Sequence, residues 1–250
     1  MIDFHSHILS GMDDGAKTSA ISIQMLTDSY AQGIDRVVST SHCYITDQAS
    51  ISLFMKKRED RYARLCEVMA QTNQPLPRIY LGAEVHMERD FSGYENLDKL
   101  CIAGTSYMLV EMPYGRWGQE LYDCLYSLQL KGIHPVLAHI ERYAVHEKEF
   151  RNLQDLNLLY QVNADSFLRF PEKRFLAKLY EKNMIHVLGS DMHDTGARAT
   201  HMKEAARIIH KKYSKDFLGY LQQNASIILE NGDVIRRSFP SLGFWDKITL

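Results

Sequence analysis

Cysteine is scarce: Cys43, Cys66, Cys101 and Cys124 are the only four in 250 residues, they lie far apart, and none forms a CxxC pair. That leaves no disulfide framework and reads as a reduced intracellular chain. No apolar run reaches the roughly 18 residues that a membrane span needs. The opening MIDFHSH has neither the basic region nor the apolar stretch of a signal peptide. The expected location is therefore the cytoplasm, with no membrane insertion. Neither sign of charge dominates, with 29 basic against 31 acidic residues, a net charge of -2 and a pI near 6.6. That balance gives no footprint for nucleic acid. Linkers, low-complexity tracts and internal repeats are also missing, so residues 1–250 are expected to form a single domain.

What is present is an ordinary globular composition, 45% hydrophobic and 24% charged, enough for a real core. Short apolar runs alternate with longer amphipathic ones. The predicted strands are IDFHSH, DRVVSTSH, RIYLGAEVH, SYMLVEM, HPVLAHI, YQVNADS and IHVLGSDMH. Between them lie helical stretches such as TSAISIQMLTDSYAQG, with apolar residues near a period of 3.6. Gly33 and Gly132 stand where helix C-terminal stops belong. Strand–helix alternation with strands apolar on both faces predicts a parallel sheet.

The strand ends are the informative positions. They run into His5 and His7, then His42, Glu84, Glu111, His139, and finally Asp191 and His193. In a parallel α/β barrel such ends share one face, which carries the chemistry. Alternate strand residues point to one side, so His5 and His7 can share a metal, although either can equally be a polar strand edge. Glu84 and Glu111 weigh more, because a carboxylate in a buried run is costly unless paired or metal-bound. These donors are nitrogen and oxygen with no thiolate, which suits manganese, iron or zinc.

The motifs DFHSH…DDG, STSH, GAE, LVE, AHIERY and SDMH together resemble the polymerase-and-histidinol-phosphatase (PHP) superfamily. Within it the chain is most similar to the bacterial tyrosine-protein phosphatases of capsule and exopolysaccharide synthesis. The likeness runs from Met1 to about Gly232; residues 233–250 extend past it with an open role. The resemblance implies a distorted (β/α)7 TIM-like barrel of the PHP type with three divalent metal ions, Mn2+ first and Fe or Zn as alternatives. It assigns His5, His7, Glu84 and Asp191 to one metal, and Glu84, Glu111 and His139 to a second. Asp14, His42 and His193 go to the third, with Asp13 as an orienting or loop-capping neighbour. Arg142 and Arg198 match its phosphate-contacting arginines, in keeping with a guanidinium fork on phosphate oxygens.

The activity implied is metal-dependent hydrolysis of phosphotyrosine in a protein by a metal-bridging hydroxide, and the implied partner is the tail of a bacterial tyrosine kinase. The thiol route is closed: the residues six beyond the cysteines are Ala49, Thr72, Tyr107 and Leu130, not the arginine of a Cys-x5-Arg loop. Two other readings stay open. One is a small-molecule phosphatase, such as one for histidinol phosphate, which calls for a narrower pocket than short loops like HIERYAVHEKEF would make. The other is a non-catalytic, metal-stabilised PHP module, which all nine filled positions argue against. His86 is expected as an outer partner of the cluster. Tyr44, Tyr114 and Trp117 are candidate walls of an aromatic pocket, and KKREDRYAR is expected to be a solvated helix face. His134, His146, His186, His201 and His210 are given no role.

Overall fold

A computed structural model of the chain describes residues 1–146, 149–170 and 172–242. Among the described residues there are nine strands, β1 (Ile2–Ser6), β2 (Arg36–Ser39), β3 (His42–Tyr44), β4 (Arg78–Leu81), β5 (Glu84–His86), β6 (Tyr107–Glu111), β7 (His134–Leu137), β8 (Leu159–Asn163) and β9 (Val187–Gly189). The helices are α1 (Ser19–Ala31), α2 (Gln48–Met69), α3 (Gln119–Leu130), α4 (Phe150–Gln154), α5 (Glu172–Glu181), α6 (Met202–Lys212) and α7 (Phe217–Leu229). The strands form two sheets, ordered β1-β2-β4 and β3-β5-β6-β7-β8-β9, and every pairing between them is parallel. The fold is α/β.

Nine strands replace the seven expected because two of the predicted strands break in the middle. DRVVSTSH divides at Thr40–Ser41 and RIYLGAEVH at Gly82–Ala83. Backbone bonding continues across the breaks, from Thr40 N to Ser6 O at 2.8 Å, Gly82 N to Ser39 O at 2.8 Å and Glu84 N to Ser41 O at 3.1 Å. The register is the same on both sides, Ser39 opposite Leu81 before the breaks and His42 opposite Glu84 after them, so neither strand gains a residue where it is interrupted. At the other margin β9 meets β1 through a parallel bridge between Ser6 and Met192 and a bond from Asp191 N to His5 O at 2.8 Å.

Helix boundaries follow local chemistry. Thr18 caps α1 by accepting from Ile21 N, and Asp47 with Ser50 makes a reciprocal capping box on α2. Gly33 and Gly132 adopt positive φ of 84° and 77° after α1 and α3, as helix-stop glycines do. Tyr107, Leu109, Val136, Leu159 and Val187 belong to one buried apolar cluster. Because side chains alternate along a strand, the same face continues from Leu109 to Glu111, from Leu159 to Gln161 and Asn163, and from Val187 to Gly189. The apolar floor thus rises into polar residues at the C-terminal strand ends, where α/β folds place their sites.

Candidate metal centre

The nine candidate ligands converge at those strand ends. Glu84, fully buried, is the hub. Its Oε2 lies 2.9 Å from His42 Nδ1, 3.3 Å from His7 Nε2 and 3.6 Å from His5 Nε2, and its Oε1 lies 2.7 Å from His139 Nε2. Asp191 Oδ1 is 3.0 Å from His5 Nε2 and 3.4 Å from His7 Nε2. Exposed Asp14 reaches in from the β1–α1 loop, its Oδ1 3.2 Å from His193 Nε2 and 3.5 Å from His42 Nε2. Glu111 Oε1 is 3.6 Å from His139 Nε2.

Three groups of these atoms are compact enough to hold an ion: His5–His7–Glu84, His42–Glu84–Glu111, and His7–Asp14–His42–His193. They overlap at His7, His42 and Glu84, so the geometry favours no single division of the donors. The second group draws on His42 where the resemblance draws on His139. His139 nevertheless lies within reach of both carboxylates of that group.

The backbone is bent to bring these atoms together. His139 and Asp191 sit at positive φ, 31° and 54°, a strained region for such residues that persists where surrounding structure over-determines it. The restraint at His139 is Gln161, whose Oε1 accepts the His139 N–H at 2.7 Å. Gln161 Nε2 donates to Asn163 Oδ1 at 2.8 Å, and Asn163 Nδ2 donates to Asp191 Oδ2 at 3.0 Å. Asp3 accepts from Ser190 N at 2.7 Å and from Ser190 Oγ at 2.6 Å, fixing the turn before Asp191. A Cβ on Gly15 would collide with the His7 carbonyl, and one on Gly189 with His5.

Glu84 and Asp191 are held in the charged form that binds cations. Burial works against ionisation of Glu84, but His5, His139, His42 and His7 hold its carboxyl well below the usual range. Burial likewise opposes Asp191, which His5, His7 and Arg142 keep well below its ordinary value. His7 rises well above the histidine range despite burial, because Asp13, Asp191 and Glu84 accept from it. Burial, with charged His7 beside it, pushes His193 down to about 4.

Asp13 has the orienting place expected of it. Its Oδ2 bonds His7 Nδ1 at 2.8 Å and accepts His42 N–H at 2.8 Å, and its Oδ1 accepts Gly15 N–H at 3.0 Å. Such a partner sets the tautomer and aim of a ligating imidazole. His86 Nδ1 lies 2.7 Å from Glu111 Oε2. Arg142 pairs with Asp191 Oδ2, and Arg198 Nη1 lies 3.0 Å from Asp14 Oδ2 and Nη2 3.6 Å from Asp191 Oδ2. The two arginines border one pocket of about 180 Å³ with Asn163 and Asp191.

Some expectations need correction. Trp117 is buried, packed against Tyr143, His146 and Phe150, and so turns into the core; Tyr44 is exposed, while Tyr114 does line a cavity of about 690 Å³ with Arg142. His146 has a structural task, stacking on Trp117 at 4.6 Å. His201 lines the arginine pocket. The helix face KKREDRYAR is not wholly solvated: Arg58 is buried and donates to the Gly82 and Lys99 carbonyls at 3.1 Å each. The loop HIERYAVHEKEF begins as a 3-10 turn over Ile140–His146, and its residues 147 and 148 lie outside the described residues. Gln161, Asn163 and Asp3 are the residues that sequence reasoning missed. Polar side chains at alternate positions of an otherwise apolar strand, YQVN, were the available signal.

Comparison with known proteins agrees with this picture. Residues 1–230 match the family model for capsular polysaccharide synthesis, CpsB/CapC. The chain is 33% identical over 227 residues to the tyrosine-protein phosphatase CpsB of Streptococcus pneumoniae, covering 85% of this chain and 91% of that one. It is 30% identical over 257 residues to the tyrosine-protein phosphatase YwqE of Bacillus subtilis, covering 95% and 94%. A crystal structure from work on YwqE and CpsB, described as unique metal-dependent tyrosine phosphatases, superposes with a TM-score of 0.83 at 28% identity, over 97% of this chain and all of that one. A phosphotriesterase homology protein of Escherichia coli shares the fold alone, with a TM-score of 0.52 at 12% identity over 90% and 97% of the two chains.

Proposed function

The chain belongs to the CpsB/CapC family of capsular polysaccharide synthesis, and from that membership we propose that it is a metal-dependent protein-tyrosine phosphatase. One observation carries the reading: a cluster of nitrogen and oxygen donors, bordered by two arginines, gathers at one end of parallel sheets. The donor set fits cations. His5 Nδ1 is buried without a hydrogen-bond partner, and a buried polar atom left so is costly. His5 Nε2 and His7 Nε2 also face each other at 3.2 Å, an arrangement that a shared cation would stabilise.

The ligands proposed are His5, His7, Asp14, His42, Glu84, Glu111, His139, Asp191 and His193, for three divalent ions with manganese preferred. When bound, such ions neutralise phosphoryl charge and make water acidic enough to supply a nucleophile near neutral pH. The chain's own residues do the rest. Arg142 and Arg198, on either side of Asp191, bind the phosphoryl oxygens and balance the charge that develops on them. Asp13, Gln161 and Asn163 keep the ligating side chains aimed. A phenolate is a good leaving group (tyrosine pKa ~10), so no dedicated strong acid is required. Exposed Tyr44 lies beside His42 with ring centroids 5.7 Å apart, and exposed Tyr114 lines a cavity with Arg142, so a protein tail can approach both. The remaining proposals are a (β/α)7 PHP-type barrel, one domain over 1–250 (of which 243–250 lie outside the described residues), a cytoplasmic location and a bacterial tyrosine kinase tail as substrate.

The test is turnover of a phosphotyrosine peptide beside histidinol phosphate on one metal-replenished preparation. The peptide should be the better substrate. Chelation should abolish turnover and manganese restore it, while alkylation should leave it intact. Cys43, Cys101 and Cys124 are buried, and burial pushes each thiol up to about 12, so none is a ready nucleophile. Activity that survives chelation but dies on alkylation would refute the proposal.

A further inference from the structure

The N-terminal ends of the strands, opposite the histidine cluster, hold a second cavity of about 360 Å³. Its outer wall is the segment after α7, residues 233–242, which folds back across this end. Buried Asn224 clamps it, exchanging bonds with Ile235 N and Ile235 O at 3.1 Å each. Phe239 seats among Tyr180, Phe217 and Tyr220, with ring centroids 5.6, 5.1 and 5.1 Å away. This anchoring places Arg236 and Arg237 at the cavity.

The lining has one sign of charge. Arg236, Arg237 and Lys182 border the cavity, and no aspartate or glutamate does among the described residues. Arg237 also pairs with Asp216 at 3.0 Å on its outer side. Arg236 is held by backbone carbonyls, those of Asn157 at 2.7 Å and Leu158 at 3.2 Å. The inner wall adds two buried donors, His186 (2% exposed) and Tyr160 (4% exposed). His186 Nδ1 accepts the Tyr160 N–H at 3.2 Å, which puts the imidazole proton on Nε2. Neither that N–H nor the Tyr160 hydroxyl donates to any described group. Both residues line the cavity, and a cavity of this volume lies in the range of small-molecule sites.

We propose that this cavity binds a phosphorylated small molecule, its phosphate held by Arg236 and Arg237 and accepting hydrogen bonds from His186 Nε2 and the Tyr160 hydroxyl. A planar guanidinium matches phosphate oxygens, and the uncharged Asn157, Asn183 and Ser238 leave room for a hydroxylated remainder. This site is separate from the metal centre and does not depend on the reaction catalysed there.

The test is calorimetric titration of the metal-loaded full chain with inorganic phosphate and with the hydrolysis-resistant phosphonate analogue of ribose 5-phosphate. Two saturable sites are expected, one at the metal centre and one in this cavity. Arg236→Gln and Tyr160→Phe should each weaken the second site about tenfold, as loss of one charge-assisted bond implies, without lowering turnover of an aryl phosphate. Tyr160→Phe keeps the ring in the core, so a fall in its binding with an unchanged melting temperature isolates the hydroxyl. Tighter binding of the sugar phosphonate than of phosphate would assign the site to a phosphorylated metabolite; equal affinity would assign it to the free anion. A single binding event, or a second one that both variants leave untouched, overturns the proposal.

Discussion

Asn163 Nδ2 donates to Asp191 Oδ2 at 3.0 Å, and through this bond a strand that supplies no candidate ligand aims one that follows a different strand. The same strand holds the His139 backbone through Gln161. β8 thus braces two of the bent positions in the site from one side.

Replacing Asn163 by Leu keeps the volume and removes the donor. We expect affinity for the activating metal to fall about 10- to 100-fold, the range for loss of an outer-shell partner. Metal content after dialysis against chelators of graded strength reads this directly. Wild-type retention and unchanged activity would show that Asp191 needs no such support.

Much of the site was legible because its side chains are expensive. A histidine or glutamate at the end of an apolar strand announces a reason for being there, and Glu84 and Glu111 are the clearest cases. Gln161 and Asn163 announce less, since a neutral amide in a strand costs little and satisfies itself locally. Trp117 misled because nearness in sequence to Glu111 does not say which way a ring points, and it turned into the core against Phe150. Arg58 was hidden in a charged run, where helix periodicity sends one member inward to bond the Gly82 and Lys99 carbonyls. The breaks at Thr40 and Gly82 leave little mark in sequence because the backbone pairing runs on through them. The role of residues 233–242 depends on Phe239 finding an aromatic cluster built from α5 and α7, a contact that only the tertiary fold supplies.

Acid should destabilise the fold through His186. Burial, with the positive charge of Arg236 adding to it, pushes this imidazole down to about 3 from an ordinary 6.5. Between those values the unfolded chain takes up a proton that the folded chain refuses. The stability is therefore complete above pH 6.5 and drains away as pH falls toward 3, by at most about 1.4 kcal/mol per pH unit. Asp3, which burial pushes up to about 6, bends the total profile the other way, so the informative quantity is a difference. Denaturant unfolding of wild type and His186→Asn from pH 7 to 4.5 should give free energies that approach each other as pH falls. Parallel curves would mean that His186 takes up its proton in the fold as readily as in the unfolded chain.

The arginines and the candidate ligands should separate cleanly under mutation. Arg142 and Arg198 both face Asp191 Oδ2, but a guanidinium has only donors and cannot coordinate a cation. Arg142→Ala and Arg198→Ala should therefore keep metal content near wild type. Each should lose about 2–4 kcal/mol of transition-state stabilisation, roughly 30- to 1,000-fold in kcat/KM for a phosphotyrosine peptide, because charge on the phosphoryl oxygens goes unbalanced. His42→Ala and Asp191→Ala remove donors that lie within 3.0 Å of Glu84 Oε2 and His5 Nε2 respectively, so metal content and activity should fall together. Metal analysis and steady-state kinetics on the same preparations distinguish the two classes. Arginine variants that shed metal like the donor variants, or that hydrolyse the peptide at wild-type rates, would remove Arg142 and Arg198 from the phosphate site.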